Sequence, residues 1–600
     1  MNKIDILPVP QHMEIHEGVY GLKDVVYVFG AQSKVLAYLQ TFLHAVEAKD
    51  ELSADIVFKI NPLLTNYDEY RLNIEENGMQ VEAAGEQGAF YACCTLKQLV
   101  HIGGKKLPAL EIEDYADFEV RGLMYDISRG KLPKMETIKE TIDLIADLKY
   151  NHFELYVESF VYENPQFAQY SKGAMPLTVK EIKELEQYAK NRFVELVPNQ
   201  NGLGHMSSWT AMEEIKPMAI TVDGKPTDTL NPLHPGTLPL MDKIYSGVLD
   251  YFESGYANIG LDEPYGLGLG ETREACEQRG RGAVYTEYLN KICALVKNKY
   301  HKTPMYWDDV VFSHPECIPD VPKDAIAMVW GYEREHRFEQ RCRTLKEIGL
   351  DFIVCPGTSS WVSVTGRSQN MVCNIYNACE CAKRYGAKGI LLTDWGDGNA
   401  QSVQVGFLGY ALGSALSWNF GNPEEPDMIA ARNRHLDRAV KYTDEYIFKV
   451  KNEKSVADLL FRMGNYYLLE ERPIWNTTVT WVYATNQKVN FIRPFDKIDL
   501  EYEKRVKNYM LSLKPEIDEI DCENREIVQR KMRLACDVVA FMCDVILSGK
   551  ENAEVINSRI DELQKEYTDL WTIRNKPVGS DTFLSGLRAQ INERWQELEE

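Results

Sequence analysis

FEVRGLMYDISRGKLPKMETIKETIDLIADLKYNHFELYV, residues 118–157, reads as strand, helix, strand. GLMYDIS after Arg121 and HFELYV (152–157) are short apolar runs. Between them, METIKETIDLIADLKY (135–150) spaces its apolar residues three and four apart, as an amphipathic helix does. The unit recurs along the chain. VELVPN (194–199), ANIGLD (257–262), PMYWDD (304–309), AIAMVW (325–330), DFIVCP (351–356) and GILLTDW (389–395) follow, separated by stretches such as TVKEIKELEQYAKNR (178–192). Strands that are apolar on both faces and alternate with helices belong to a parallel sheet. Eight of them close into a (β/α)₈ TIM barrel, an α/β fold. A doubly wound open sheet is the competing fold, but no glycine-rich phosphate loop follows the first strand.

The flanks read differently. Residues 1–115 suggest a small α+β domain, with strands at Tyr70–Asn73 and Gly78–Glu82 around a turn and an apolar helix at Gly88–Val100. The barrel is expected over 116–425. Residues 426–600 are expected to form a C-terminal α-helical domain, from patterns such as NREIVQRKMRLACDVVAFMCDVIL (524–547) and NAEVINSRIDELQKEYTDLW (552–571). Those helices carry no evident chemistry and read as a bundle packed on the barrel or on a second subunit, as in a homodimer.

The net charge of −23 argues against nucleic acid and against anionic membranes, both of which are bound through cations. No apolar run approaches 18 residues, and the N-terminus lacks the apolar core of a signal peptide. The 13 cysteines show no paired C-x-x-C spacing, so no zinc site or other metal site is expected, and no cofactor. Reduced thiols fit a cytoplasmic location.

Catalytic groups of such barrels gather at the C-terminal ends of the strands. Those ends carry Asp126 and Arg129 (with Arg121 at the strand's start), Glu158, then Asn199, Gln200 and His205. They continue with Asp262-Glu263, Trp307-Asp308-Asp309, Trp330 with Tyr332, Thr358-Ser359-Ser360-Trp361, and Asp394-Trp395-Gly396-Asp397. Four of the ten tryptophans lie there. Aromatic faces stack on the C–H faces of pyranose rings while acids bind hydroxyls, so this mouth suits a sugar better than a phosphate. Of two adjacent acids, ionising one disfavours ionising the other, which lets one keep a proton for a leaving oxygen. Consecutive strand residues point to opposite sides, so Asp262 and Glu263 do not straddle a bond as the acid and nucleophile of an ordinary retaining glycosidase do. They fit substrate assistance, in which the sugar's own 2-acetamido oxygen attacks C1.

Over residues 1–420 the chain resembles glycoside hydrolase family 20, the β-N-acetylhexosaminidases. FEVRGLMYDISRG (118–130), LVPNQNGLGHMSSW (196–209), NIGLDEPYGLGLG (258–270), CPGTSSW (355–361) and LLTDWGDGN (391–399) carry the likeness to its soluble, often intracellular branch. YRLNIEENGMQVEAAGEQGAFYACCTLKQL (70–99) is similar to the small domain that precedes the family's barrel. The resemblance implies a retaining exo-enzyme that removes terminal β-linked GlcNAc or GalNAc from a glycan or glycoconjugate. Glu263 would be the acid/base and Asp262 the holder of the acetamido nitrogen. Arg121 would grip the hydroxyls of the non-reducing end, and Asp397 the 4- or 6-hydroxyl. His205 would support the acid pair. Trp307, Trp330, Trp361 and Trp395 would wall the pocket, with Glu158 a further polar contact. The chain departs from the family pattern at Asn258, Leu261 and Asn399, and lacks the tyrosine usual after strand seven, for which Tyr332 or Tyr265 is the substitute. Two other classes compete: a metal-dependent barrel lyase or isomerase using Asp262, Glu263 and Asp308, and a glycan-binding protein without turnover.

Overall fold

In the computed structural model, residues 4–171, 173–400, 403–470, 473–485, 500–548 and 552–597 are described. Eight parallel strands close a barrel: Val120–Asp126, His152–Val157, Glu195–Gln200, Tyr256–Asn258, Thr303–Trp307, Ile326–Trp330, Phe352–Cys355 and Gly389–Asp394. The last strand pairs with the first, Asp394 against Tyr125 and Gly389 against Val120, which leaves no open edge. Nearly every strand residue is buried, as a sheet covered by helices on its outer face requires. Helices Met135–Asp147 and Val179–Lys190 follow the first two strands, and their apolar stripes face the sheet. Thr178 caps the second by accepting the backbone N–H of Glu181.

The fourth strand is shorter than its apolar run suggests. Pairing stops at Asn258, and Gly260, Leu261 and Glu263 all have positive φ, at 67°, 71° and 44°. The backbone therefore coils through the acid pair, and the alternation expected of a strand does not apply to residues 262 and 263. A Cβ on Gly260 would collide with the Asn201 side chain.

The N-terminal domain is a seven-stranded mixed sheet whose strands lie side by side in the order His12–Gly21, Lys106–Asp114, Tyr70–Glu75, Gly78–Ala83, Ile56–Ile60, Val26–Phe29 and Ala45–Glu47. Helix Glu86–Gly103 packs on one face through Phe90, Ala92, Leu96 and Leu99. A buried ion pair locks this domain to the barrel: Lys149 Nζ lies 2.9 Å from Asp114 Oδ2, both wholly buried, with Trp418 donating its indole N–H to the other carboxylate oxygen. The C-terminal helices pack on the barrel of the same chain. Pro133 bridges Asn575, the Lys576 N–H bonds to Leu132, and the Tyr567 hydroxyl bonds to the Asn399 carbonyl.

Candidate active site

The C-terminal strand ends converge on one hydrogen-bonded network. His205 stands between the two acids, with Nε2 3.3 Å from both Asp262 Oδ2 and Glu263 Oε2. Burial opposes a charge on His205, but Asp262 and Glu263 overcome it and raise its pKa well above the usual histidine value. Burial pushes Asp262 the other way, yet His205 and the Asn201 amide hold its carboxyl below the ordinary range. Adjacency alone predicts that the two acids mainly repel each other; the coil at 260–263 instead turns both side chains onto one imidazole.

Asn201, overlooked in the sequence, is the keystone of this corner. Its Nδ2 donates to Asp262 Oδ1 at 3.0 Å and to the Tyr156 hydroxyl at 3.3 Å. Its Oδ1 accepts the N–H of Gly202 and of Leu261. Only its place one residue past Gln200, in the loop leading to His205, could have pointed to it. Asp309 accepts the Glu263 backbone N–H at 3.1 Å and approaches the Trp330 indole nitrogen at 3.5 Å. Burial, and then the Asp262 charge, hold its carboxyl far above its normal pKa.

On the other side of the acids lies a second cluster. Arg129 reaches Asp126 Oδ2 at 2.6 Å, Glu158 Oε2 at 3.2 Å and Asp397 Oδ1 at 3.2 Å, and it lies over the Tyr156 and Trp395 rings. The Tyr156 hydroxyl bonds to Glu158, which links the two clusters. Burial raises the carboxyls of Glu158 and Asp397 against the pull of Arg129.

The aromatic wall is continuous. Trp395 meets Tyr156 edge to face at 4.6 Å and Trp307 at 6.1 Å, and donates its indole N–H to the Tyr332 hydroxyl. Tyr332 stacks on Trp330 at 5.2 Å and takes Trp361 edge-on at 5.0 Å. Tyr332 thus stands within the wall, whereas Tyr265 is half exposed beside Glu263.

Arg121 is not at this mouth. It begins its strand, so its side chain emerges at the opposite end of the barrel, buried against the N-terminal domain. There its guanidinium bonds to Asp68, the Phe118 and Lys149 carbonyls and the Tyr91 hydroxyl. Arg129, eight residues later, takes the place expected of it. Asn199 and Asn258 point into the barrel and donate to the buried Glu154, which also pairs with His152. Asn399 turns to the C-terminal helices and bonds to the Gly579 carbonyl. Thr358 and Ser360 both bond to Asp394, and Asp308 pairs with Arg341. With Asp308 held there, the three acids of a lyase-type metal site do not converge. Among the described residues, no group of three or more histidine, cysteine, aspartate or glutamate side chains could hold a metal ion.

A closed parallel barrel whose mouth combines paired acids, an arginine among carboxylates and a wall of indoles defines a sugar-processing (β/α)₈ protein. Residues 118–387 match the catalytic domain of glycosyl hydrolase family 20, and residues 3–115 match domain 2 of the same family. The chain belongs to glycosyl hydrolase family 20. It is 25% identical over 407 residues to a β-hexosaminidase of Vibrio furnissii, covering 60% of this chain and 64% of that protein. It is 27% identical over 278 residues to a β-hexosaminidase subunit beta of Entamoeba histolytica, covering 42% and 49%. The chain therefore spans between about half and just under two thirds of these relatives. The fold is shared with the crystal structure of a β-N-acetylhexosaminidase from Bacteroides fragilis, at TM-score 0.62 and 18% identity over 74% of this chain and 96% of that one. It is shared also with a Flavobacterium johnsoniae chitobiase, at TM-score 0.61 and 16% identity over 98% and 99%.

Proposed function

We propose that the protein is an exo-acting, retaining β-N-acetylhexosaminidase that cleaves terminal β-linked GlcNAc or GalNAc through the substrate's own acetamido group. One observation carries the reading: His205 bridges Asp262 and Glu263 at the mouth, beside the indole wall. An aspartate kept ionised by a charged imidazole and an amide can accept the acetamido N–H and offset charge building on that nitrogen. Glu263, about 30% exposed at the rim, can reach a leaving oxygen.

In the first step the acetamido carbonyl oxygen bonds to C1 as the C1–O bond breaks, and Glu263 gives its proton to the departing oxygen. In the second, Glu263 takes a proton from water as that water attacks C1. The bicyclic intermediate opens with net retention. Arg129, Glu158 and Asp397 would hold the hydroxyls far from the reducing end, with Trp307, Trp330, Tyr332, Trp361 and Trp395 around the ring and N-acetyl group. The relatives named β-hexosaminidase support this substrate class. A cytoplasmic location is supported by 13 unpaired cysteines, 11 of them buried. Among the described residues no helix is long and apolar enough to cross a membrane.

Glu263→Gln is expected to lower kcat on an aryl N-acetylglucosaminide by about 10²–10⁴-fold. An aryl glucoside without the acetamido group should not be cleaved. Wild-type rates in both Glu263→Gln and Asp262→Asn would overturn the assignment, and turnover of the plain glucoside would overturn substrate assistance.

A further inference from the structure

We propose that the C-terminal region completes the site by supplying Trp475 as the platform for a sugar ring on the leaving-group side of the scissile bond. This rests on the hexosaminidase reading above and goes beyond it, because Trp475 lies outside both segments that match the family.

A cavity of about 280 Å³ opens beside the acid pair, walled by Glu263, Tyr265, Trp330, His336, Arg341 and Trp475. Asp262, Arg129, Glu158, Asp397, Trp307 and Trp395 take no part in it. Glu263 is thus the divide. The arginine–carboxylate cluster and the Trp307 and Trp395 indoles lie on one side, where the terminal sugar is to be held, while Trp330, stacked on Tyr332 and also walling the cavity, borders both. The cavity lies on the other. Glu263 must hand its proton to the leaving oxygen, so the group attached to that oxygen enters the cavity. Its size is near the lower end of ordinary ligand pockets, about 300–1,000 Å³, and suits a single ring. A second hollow of about 610 Å³ continues outward past Trp475, His336 and Arg341, leaving room for more of a glycan.

Trp475 is 51% exposed, an uncommon setting for so large an apolar side chain, yet the segment bearing it is tied down. Arg367, 2% exposed, makes a two-pronged bond to Glu333 and reaches the Ile474 carbonyl at 3.4 Å. The Asn476 N–H bonds to the same Glu333 at 2.6 Å. The Trp361 indole donates to Asn476 Oδ1 at 3.0 Å, and the Thr477 hydroxyl bonds to the Val362 carbonyl. Ile474 is buried against Val479 and Val482. Both chain neighbours of Trp475 are thereby fixed to the loops after the sixth and seventh strands, and the indole is held out at the cavity's edge. An exposed indole on an anchored backbone, lining a cavity bordered by polar groups, suits stacking on the C–H face of a pyranose, and the fixed backbone lowers the entropic cost.

The test compares Trp475→Ala, Trp475→Tyr and the wild type on two substrates: an N-acetyl-β-glucosaminyl fluoride, whose leaving group fills nothing, and a β-linked N-acetylglucosaminyl disaccharide. Trp475→Ala is expected to lower kcat/KM on the disaccharide roughly tenfold or more, leave the fluoride within about twofold, and be largely rescued by Trp475→Tyr. Equal losses on both substrates, or no loss on the disaccharide, would overturn the proposal. So would a wild type that cleaves the fluoride but not the disaccharide. A wild type that cleaves neither would remove the hexosaminidase reading and this inference with it.

Discussion

The Asn201 side-chain amide donates to Asp262 Oδ1 at 3.0 Å while its oxygen holds the Leu261 N–H, so one residue fixes both the carboxylate and the coil that presents it. Asp262 is aimed rather than merely buried. Asn201→Ala removes a hydrogen bond to a charged group, worth about 1.5–3 kcal/mol. It is expected to lower kcat by about 10- to 100-fold with a smaller change in KM, since the bond matters most when charge develops on the acetamido group. Steady-state kinetics on an aryl N-acetylglucosaminide check this. An unchanged kcat would mean that Asp262 needs no such support.

Two arginines on one strand and its following loop allow a paired experiment. Arg129 faces three carboxylates at the mouth, and Arg121 bonds to Asp68 and Tyr91 at the far end. Arg129→Gln is expected to lower kcat/KM about 100-fold, through lost hydroxyl contacts and newly unpaired acids. Arg121→Met should leave kcat/KM of the folded protein within about twofold but cost about 3–5 kcal/mol of stability, because it strips a buried cation from its partners. The reverse pattern would return the sugar-binding role to Arg121.

That exchange illustrates what the sequence can and cannot tell. Periodicity located all eight strands, because a strand buried on both faces is written in its own residues. It could not rank Arg121 against Arg129, since both flank the same run and only the direction of the barrel axis separates them. The acid pair was legible from its place at a strand end. The family resemblance already assigned His205 to support the pair; that a single imidazole nitrogen meets both carboxylates was not legible, because it depends on three left-handed residues, of which only Gly260 advertises the conformation. Trp475 was illegible for a different reason. It lies more than 200 residues from Glu263, and nothing local distinguishes it from an ordinary surface tryptophan.

His205 gives a pH dependence of definite sign. Its folded pKa lies well above the usual histidine value, because two carboxylates outweigh burial. The stability it contributes is therefore fully present below about pH 6.5, the unfolded value, and is lost as pH rises through the folded one. The melting-temperature difference between wild type and His205→Gln should be largest near pH 6 and shrink steadily toward pH 9. A difference that grows with pH would mean the imidazole is neutral in the folded protein.

Lys149 and Asp114 join the N-terminal domain to the barrel in a region closed to water. Nζ lies 2.9 Å from Oδ2 and 3.0 Å from the Tyr70 hydroxyl, and over the Trp418 ring at 4.3 Å. Removing either charge leaves the other without its ionic partner, at a cost of about 3–5 kcal/mol. The two sides are not equivalent. Asp114 would keep the Trp418, Tyr70 and Gln11 donors after Lys149→Met, whereas Lys149 would keep chiefly the Tyr70 oxygen and the Trp418 face after Asp114→Asn. Asp114→Asn is therefore expected to be the more damaging, and both variants to inactivate faster on heating with nearly unchanged kcat at 25 °C. Half-lives of activity at raised temperature measure this directly, since a chain of several domains seldom unfolds reversibly. Equal half-lives for wild type and both variants would show that the junction draws its strength from the apolar contacts alone, with the ion pair contributing nothing.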